Sequence, residues 1–373
     1  MTQSPLLTLC MIVKNEHTCL ERCLQSVQGV VDQIVVVDTG STDDSQEICR
    51  RYHAEVYPRE WDDDFAAARN AGIEKAKGRW ILWMDADEQL KITQKDVFLK
   101  ELRDSDASLF SVRMVHFMGE RPDLHQVFFS DSYRLFRNGR GIRFVGKIHE
   151  HLNLPSGISS KNFAKGLPIR LLHDGYLDTA VFQKQKTKRN LTLLEKERVK
   201  SDHSPWIDYH TAVEYFGMHA FEKAFACVND AISGFLKKKR MPPSMLYHLK
   251  YSILLEHGVP AETLQGLEKA LALYPDYVDL HFFKGILLMS EKQYTRAAQV
   301  FRHCLMLGDA IPHYLTYNGY GSFYAYYFFG KCCEQLGQIP LARDAYEQAI
   351  YLYPDDQQAR SSLQAIQEKQ KAE

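Results

Sequence analysis

The chain has 373 residues, 45% apolar and 25% charged, with a formal charge of -1. That length allows two domains, each with its own core, and the charge lacks the basic excess of a general nucleic-acid binder. No apolar run approaches the ~18 residues that a membrane span needs, and the eight cysteines include no Cys-x-x-Cys pair, which excludes zinc-ribbon and thioredoxin-type readings. Scattered thiols suit a reducing cytosol, so a cytoplasmic location is expected.

Leu6 to Val13 is apolar and is followed by Lys14, with no basic segment before it, so it reads as a first strand rather than a signal peptide. Leu20, Leu24 and Val27 recur at helical spacing. Ile34 to Val37 is a second strand, and Ser41 with Asp44 reads as a capping box opening a helix through Tyr52. Glu55 to Tyr57 is a short third strand ending at Pro58. The acid cluster Asp62-Asp63-Asp64 precedes an Ala-rich helix over Phe65 to Lys77, where the helix dipole favours negative charge. Gly78 reads as its C-terminal cap. Trp80 to Met84 is an uninterrupted apolar run, a buried strand, and it ends on Asp85-Ala86-Asp87. This βαβαβαβ order predicts a mostly parallel, Rossmann-like sheet. Residues 108 to 176 then become rich in short strands and loops: Leu109 to Val115, Val127 to Phe129, Ser132 to Phe136 and Arg143 to Ile148.

After Thr179 helices take over. Residues 180 to 200 read as one long helix whose basic face carries Lys184, Lys186, Lys188 and Arg189. Beyond it small residues recur at offsets of 12 and 19, followed by Pro or Asp at 24. The clearest sets are Gly285, Ala297, Cys304, Asp309 and Gly330, Ala342, Ala349, Pro354. Ala212, Ala224, Ala231 and Tyr251, Thr263, Ala270, Pro275 share that register, with separations of 39, 34 and 45 residues implying insertions. This spacing resembles tetratricopeptide repeats, in which small residues let paired helices approach closely; the alternative is an irregular helical bundle. The resulting division is 1–178, a linker helix over 179–204, and a helical repeat domain over 205–373.

Ligands of open α/β sheets bind at the carboxyl ends of the strands. Val13-Lys14-Asn15-Glu16, Asp38-Thr39-Gly40-Ser41-Thr42-Asp43, the helical Ala68-Arg69-Asn70 and Asp85-Ala86-Asp87 should therefore share one crevice. An Asp there accepts hydrogen bonds from a base or ribose, and an Arg stacks on a base or neutralises phosphate. The chain has neither a Gly-x-x-x-x-Gly-Lys phosphate loop nor a Gly-x-Gly-x-x-Gly fingerprint. Diphosphate charge would then have to be met by a divalent metal on the two acids. Trp61, Trp80 and Trp83 could stack on a sugar or serve in packing. Lys237-Lys238-Lys239-Arg240 reads as a solvated loop or a patch for an anionic partner.

These four segments resemble the family 2 glycosyltransferases with the A-type nucleotide-sugar fold, closely over residues 7 to 90 and more loosely to about 178. The resemblance implies nucleotide contacts from Val13, Asn15, Glu16, Asp38 and Arg69, with Asp38 and Arg69 on the base. It places Asp85 near the ribose and Asp87 on a Mn²⁺ or Mg²⁺ ion bridging the diphosphate. Such enzymes invert the anomeric centre with a carboxylate base, often in a Glu-Asp pair that this chain lacks. Within Gly146-Lys147-Ile148-His149-Glu150-His151-Leu152, a His-Glu step similar to one found in a subset of the family makes Glu150 the candidate base. A helical zinc-protease motif is excluded because Asn153 stands where the second His would be needed. His149 and His151 read as metal donors or polar surface, and His173 as a third metal ligand, a phosphate contact or a structural histidine.

The fusion to helical repeats is similar to bacteriocin peptide S/O-glycosyltransferases of the sublancin type. It implies transfer of a glucose-like hexose from a UDP-sugar to a Cys or Ser side chain of a peptide or protein. The repeats would hold the peptide or pair subunits in a homodimer. Two other readings stay open: transfer to a surface-polysaccharide or lipid-linked glycan, and a non-catalytic adaptor.

Overall fold

The computed structural model describes residues 4–164, 166–177, 180–258, 262–309 and 313–372. The chain divides into two compact units: Met1–Asp123 with Ser130–Lys196, and Leu124–Phe129 with Glu197–Glu373.

The first unit opens with β1 (Leu7–Val13), α1 (Leu20–Ser26), β2 (Gln33–Asp38), α2 (Ser45–Arg51), β3 (Glu55–Pro58), α3 (Phe65–Ile73) and β4 (Trp80–Trp83). It continues with β5 (Glu88–Ile92), α4 (Lys95–Asp104), β6 (Leu109–Gly119), β7 (Val127–Arg137), the hairpin β8 (Arg143–Val145) and β9 (His151–Asn153), β10 (Phe163–Ala164), β11 (Ile169–Leu177) and α5 (Ala180–Arg198). The main sheet runs β3-β2-β1-β4-β7-β6-β11-β5. β3, β2, β1 and β4 are mutually parallel, as the alternating pattern implied, whereas β7 joins β4 antiparallel. Strand order reverses between β1 and β4, and that switch point opens the ligand crevice of doubly wound sheets. The central strands are apolar on both faces because helices and loops cover both; Leu9, Val36 and Leu82 are fully buried on one face and Val35 and Ile81 on the other.

Two local expectations change. α3 stops at Ile73, and Gly78 is not its cap. Gly78 N donates to Thr8 Oγ1 (2.9 Å), and a Cβ there would lie 2.6 Å from Thr8 N. The glycine permits a close backbone approach to β1. Ser41 and Asp44 do not form a capping box either: Asp44 at the N-cap makes no side-chain capping bond, and Ser45 N donates to Asp43 Oδ1 instead (3.0 Å). Ser41 Oγ accepts from Asn15 N (3.1 Å) and Ser45 Oγ from Glu16 N (2.8 Å), so these hydroxyls tie two site loops together. The acid cluster behaves as read: Asp64 caps α3 by accepting from Ala67 N at 2.8 Å.

The second unit consists of helix pairs: α6 (Pro205–Gly217) with α7 (Phe221–Lys237), α8 (Ser244–His257) with α9 (Thr263–Leu273), α10 (Val278–Ser290) with α11 (Tyr294–Leu307), and α12 (Phe323–Gln335) with α13 (Ile339–Leu352). α14 (Gln357–Ala372) closes the series. Ala212, Ala224, Ala231, Ala270, Ala297, Cys304, Ala342 and Ala349 are all buried at the helix contacts, in the register read from the sequence. The glycines show why size matters there. A Cβ on Gly285 would lie 2.6 Å from the ring of buried Phe301, and one on Gly330 would lie 2.7 Å from the Tyr346 ring. Gly285→Ala is therefore expected to destabilise by about 1–3 kcal/mol, the usual cost of overpacking. Urea unfolding would measure it, and an unchanged midpoint would show that the helices can move apart. This unit also takes in part of β7: the two-residue strand β12 (Thr316–Tyr317) pairs with Phe128 and Phe129. His125 stacks on Tyr353 at 4.3 Å, and Asn318 Nδ2 donates to Leu124 O (2.8 Å).

Candidate active site

The loops after β1 and β2 form one edge of the crevice. Asp38, buried at the end of β2, accepts at Oδ1 from Gly40 N (2.7 Å) and Ser41 N (2.8 Å). Gly40 makes this turn possible with φ +100°. Val13 O accepts from Thr39 N (2.9 Å), and Asn15, itself at φ +56°, accepts from Thr42 N at 2.7 Å. Glu16 Oε2 accepts from the Cys19 thiol (3.3 Å). Val13, Asn15 and Glu16 thus share an edge with Asp38, and the bonds they make there bridge one loop to the next.

The centre is built on Trp83, the last residue of β4. The Arg69 guanidinium lies over its ring at 4.5 Å and that of Arg134, from β7, at 3.7 Å. Such cation–π contacts strengthen when the cation is desolvated, and both arginines are buried. Arg69 Nη2 donates to Asp85 Oδ1 (2.7 Å) and Arg69 Nε to Glu150 Oε1. Arg134 Nη2 donates to buried Glu88 (2.7 Å), and its Nη1 lies 3.6 Å from Asp85 Oδ2. Loss of solvent opposes charge on Arg69 and on Asp85. Their mutual attraction prevails, holding the guanidinium above and the carboxyl below its ordinary pKa, with Arg134 adding to the effect on Asp85. Glu88 goes the other way: burial, with the charge of Asp85 adding to it, outweighs Arg134 and pushes its pKa up to about 7.

Helix α3 explains how Glu150, 81 positions away in sequence, reaches Arg69. Asn70 clamps β8 with two bonds, Nδ2 to Phe144 O and Phe144 N to Oδ1, both 2.9 Å. Phe65 N donates to Lys147 O at 2.9 Å. Arg69 and Asn70 thus divide the labour, one holding charge and the other holding the segment that carries Glu150. His149 and His151 are exposed on either side of it.

Asp87 and His173 meet on a second flank, with Oδ1 and Nε2 3.7 Å apart. β11 is irregular between His173 and Tyr176, and such bulges re-aim side chains. Asp174 N there donates to Asp87 O (3.1 Å), and the Asp174 carboxylate accepts from Arg22. Gly175 keeps the space open, since a Cβ would lie 2.3 Å from His173 Nε2 and 3.1 Å from Asp87 Oδ2. Burial opposes protonation of His173, but Asp87 outweighs it and raises the pKa. His116, behind it, is pushed down to about 2 by burial and then by His173. Among the described residues no group of three or more His, Cys, Asp or Glu side chains is assembled to hold a metal. Asp87 and His173 form a two-donor pair.

Trp80 is core, fully buried with Nε1 donating to Leu102 O (2.7 Å), whereas Trp83 belongs to the site. Trp61 packs edge-on against Phe65 at 4.8 Å. Lys188 and Arg189 of the basic helix are exposed, and the side chains of Lys184 and Lys186 lie outside the described residues. Lys238, Lys239 and Arg240 are exposed too. Arg134 and Glu88 are the residues that the sequence reading missed. Arg134 sits between Tyr133 and Leu135 in an apolar strand, and a buried arginine needs a carboxylate; that was the available signal.

Residues 8–160 match the family described as Glycosyl transferase family 2, and residues 323–356 match Tetratricopeptide repeat. A TPR repeat-containing protein of Synechococcus elongatus is 30% identical over 283 residues, covering 73% of this chain and 66% of the relative. The SPbeta prophage-derived glycosyltransferase SunS of Bacillus subtilis is 27% identical over 307 residues, covering 78% and 69%. The chain thus spans about two thirds of the length of these curated relatives. The crystal structure of YrrB, a TPR protein with an unusual peptide-binding site, aligns at TM-score 0.38 and 17% identity over 49% of this chain and 86% of that one. By these matches the chain carries a glycosyltransferase family 2 domain over residues 8–160, joined to tetratricopeptide repeats.

Proposed function

We propose that this enzyme moves a hexose from a UDP-sugar to a Cys or Ser side chain of a peptide or protein, with inversion and with a divalent metal. The observation that carries the reading is the convergence of Asp85 and Glu150 on Arg69, which lies over Trp83 at the strand ends, with Asp87, two residues past Asp85, paired with His173. Asp38 Oδ2 receives the base, since Oδ1 already holds the turn. Asp85 faces the ribose, and Arg69 and Arg134 supply positive charge beside the diphosphate. Val13, Asn15 and Glu16 set the loop that the nucleotide lies on. Mn²⁺ or Mg²⁺ fits between Asp87 and His173. These are a hard oxygen donor and an imidazole 3.7 Å apart, with Gly175 keeping side-chain bulk away, and diphosphate oxygens and water would complete the shell. When bound, the ion supplies neutralisation of charge on the departing diphosphate.

Glu150 Oε2 takes the proton of the acceptor hydroxyl or thiol as its oxygen or sulfur bonds to the anomeric carbon. The bond from that carbon to the diphosphate oxygen breaks, its electron pair leaves with UDP, and the configuration inverts. Arg69 holds the other oxygen of Glu150, fixing the carboxylate for this role. The repeats would present the acceptor peptide. No helix among the described residues is long and apolar enough to cross a membrane. With eight free cysteines, we assign the enzyme to the cytoplasm.

The test incubates the protein with a panel of nucleotide sugars and candidate peptides, with and without Mn²⁺ or Mg²⁺. Released UDP and a mass gain of one hexose on a peptide are expected only with metal. Turnover with glycan acceptors alone would replace the peptide reading, and failure to bind any donor would favour a non-catalytic adaptor.

A further inference from the structure

The sheet places three polar side chains in a row behind the Asp87–His173 pair. His173 on β11 and His116 on β6 are direct partners in the parallel register, and β7, which carries Ser130, is the next strand. The two imidazoles meet Nδ1 to Nδ1 at 2.8 Å, and His116 Nε2 lies 2.8 Å from Ser130 Oγ. Their rings stand at 85°, and Tyr176 packs edge-on against both, at 5.6 Å from His116 and 5.4 Å from His173. The ring planes are therefore set by packing as well as by hydrogen bonds.

An Nδ1-to-Nδ1 contact holds one proton. A metal-ligating histidine donates its other ring N–H to an outer partner, which fixes its tautomer and orientation. For His173 Nε2 to offer a lone pair on the side of Asp87, its proton must sit on Nδ1 and be donated to His116. His116 Nδ1 is then bare, its proton sits on Nε2, and Ser130 Oγ accepts it. No other arrangement of the row leaves His173 Nε2 free with every hydrogen bond made.

We propose that His116, supported by Ser130, is a positioning residue that fixes His173 as the Nδ1–H tautomer and so presents Nε2 for metal. The proposal rests on the assignment of Asp87 and His173 as metal donors. It adds that His116 acts through His173 and touches neither metal nor sugar. Asparagine at 116 can offer its amide oxygen near the position of Nδ1, and leucine cannot.

Mn²⁺ affinity of the full-length protein, read from the free-ion EPR signal without donor, is expected to fall 10- to 100-fold in His116→Leu, the usual cost of losing an outer partner. His116→Asn should stay within a few-fold of wild type. In wild type loaded with diamagnetic Mg²⁺, ¹⁵N spectra of labelled histidines should show His173 protonated at Nδ1 and His116 at Nε2. If wild type binds no Mn²⁺, the metal assignment itself falls and takes this proposal with it. If wild type binds and His116→Leu binds equally well, only the positioning role falls. Should His116→Leu fail to fold, the spectra decide: a proton on His116 Nδ1 with Mg²⁺ bound overturns the proposal.

Discussion

Arg69→Leu should abolish measurable sugar transfer and also weaken the fold. The substitution removes the shared partner of Asp85 and Glu150, leaving the Glu150 carboxylate buried without it and the Asp85 carboxylate only partly exposed to water. Breaking a buried pair by removing one partner costs about 3–5 kcal/mol. Arg134, 3.6 Å from Asp85, should keep the loss toward the lower end. Arg69→Lys separates the two effects. It keeps a positive charge but cannot reach both carboxylates with a planar fork or cover Trp83 in the same way. Most of the stability should therefore return while transfer stays low. Urea unfolding and donor turnover on the three proteins make the comparison. Full activity in Arg69→Lys would show that charge alone suffices and that the holding of Glu150 is incidental.

Asp87→Ala should leave the fold nearly unchanged and still reduce transfer on the order of 10²–10³-fold, the few kcal/mol that neutralisation of a departing diphosphate contributes. The backbone carbonyl of Asp87, which accepts from Asp174 N, survives the change. The residual rate of the variant should no longer respond to Mn²⁺ or Mg²⁺. Wild-type turnover in Asp87→Ala would remove the acid from the metal assignment.

The order of elements made much of this site legible. Once β1, β2 and β4 are parallel and adjacent, their carboxyl ends must bring Asn15, Asp38 and Asp85 to one edge, and the helix before β4 brings Arg69. Segments beyond β4 could not be placed by the same logic. Alternation assigns Arg134 to a face of its strand, but nothing local says that β7 lies next to β4 rather than at the sheet's far side. Trp83 was ambiguous for the same reason, since its partners arrive from α3 and β7. Gly78 misled because a glycine after a helical pattern usually caps it, and only the approach of Thr8 reveals the other use. Ser41 and Asp44 had the spacing of a helix start, yet the hydroxyl found a partner in a loop 26 residues earlier. The repeats read well because their signal is periodic and each buried small residue reports the same helix contact.

The division of β7 limits how the two halves of this enzyme can be exchanged with those of relatives. Phe128 and Phe129 take their strand partners from Thr316 and Tyr317, and His125 rests on Tyr353, whereas Arg134 a few residues later serves Trp83 and Glu88. A repeat array grafted as a cassette after the linker helix would leave Leu124–Phe129 without its partners and bare an apolar strand edge that invites self-association. A viable chimera has to carry that hairpin tip together with the repeats. If the repeats present the acceptor as proposed, exchanging them requires that segment to move with them.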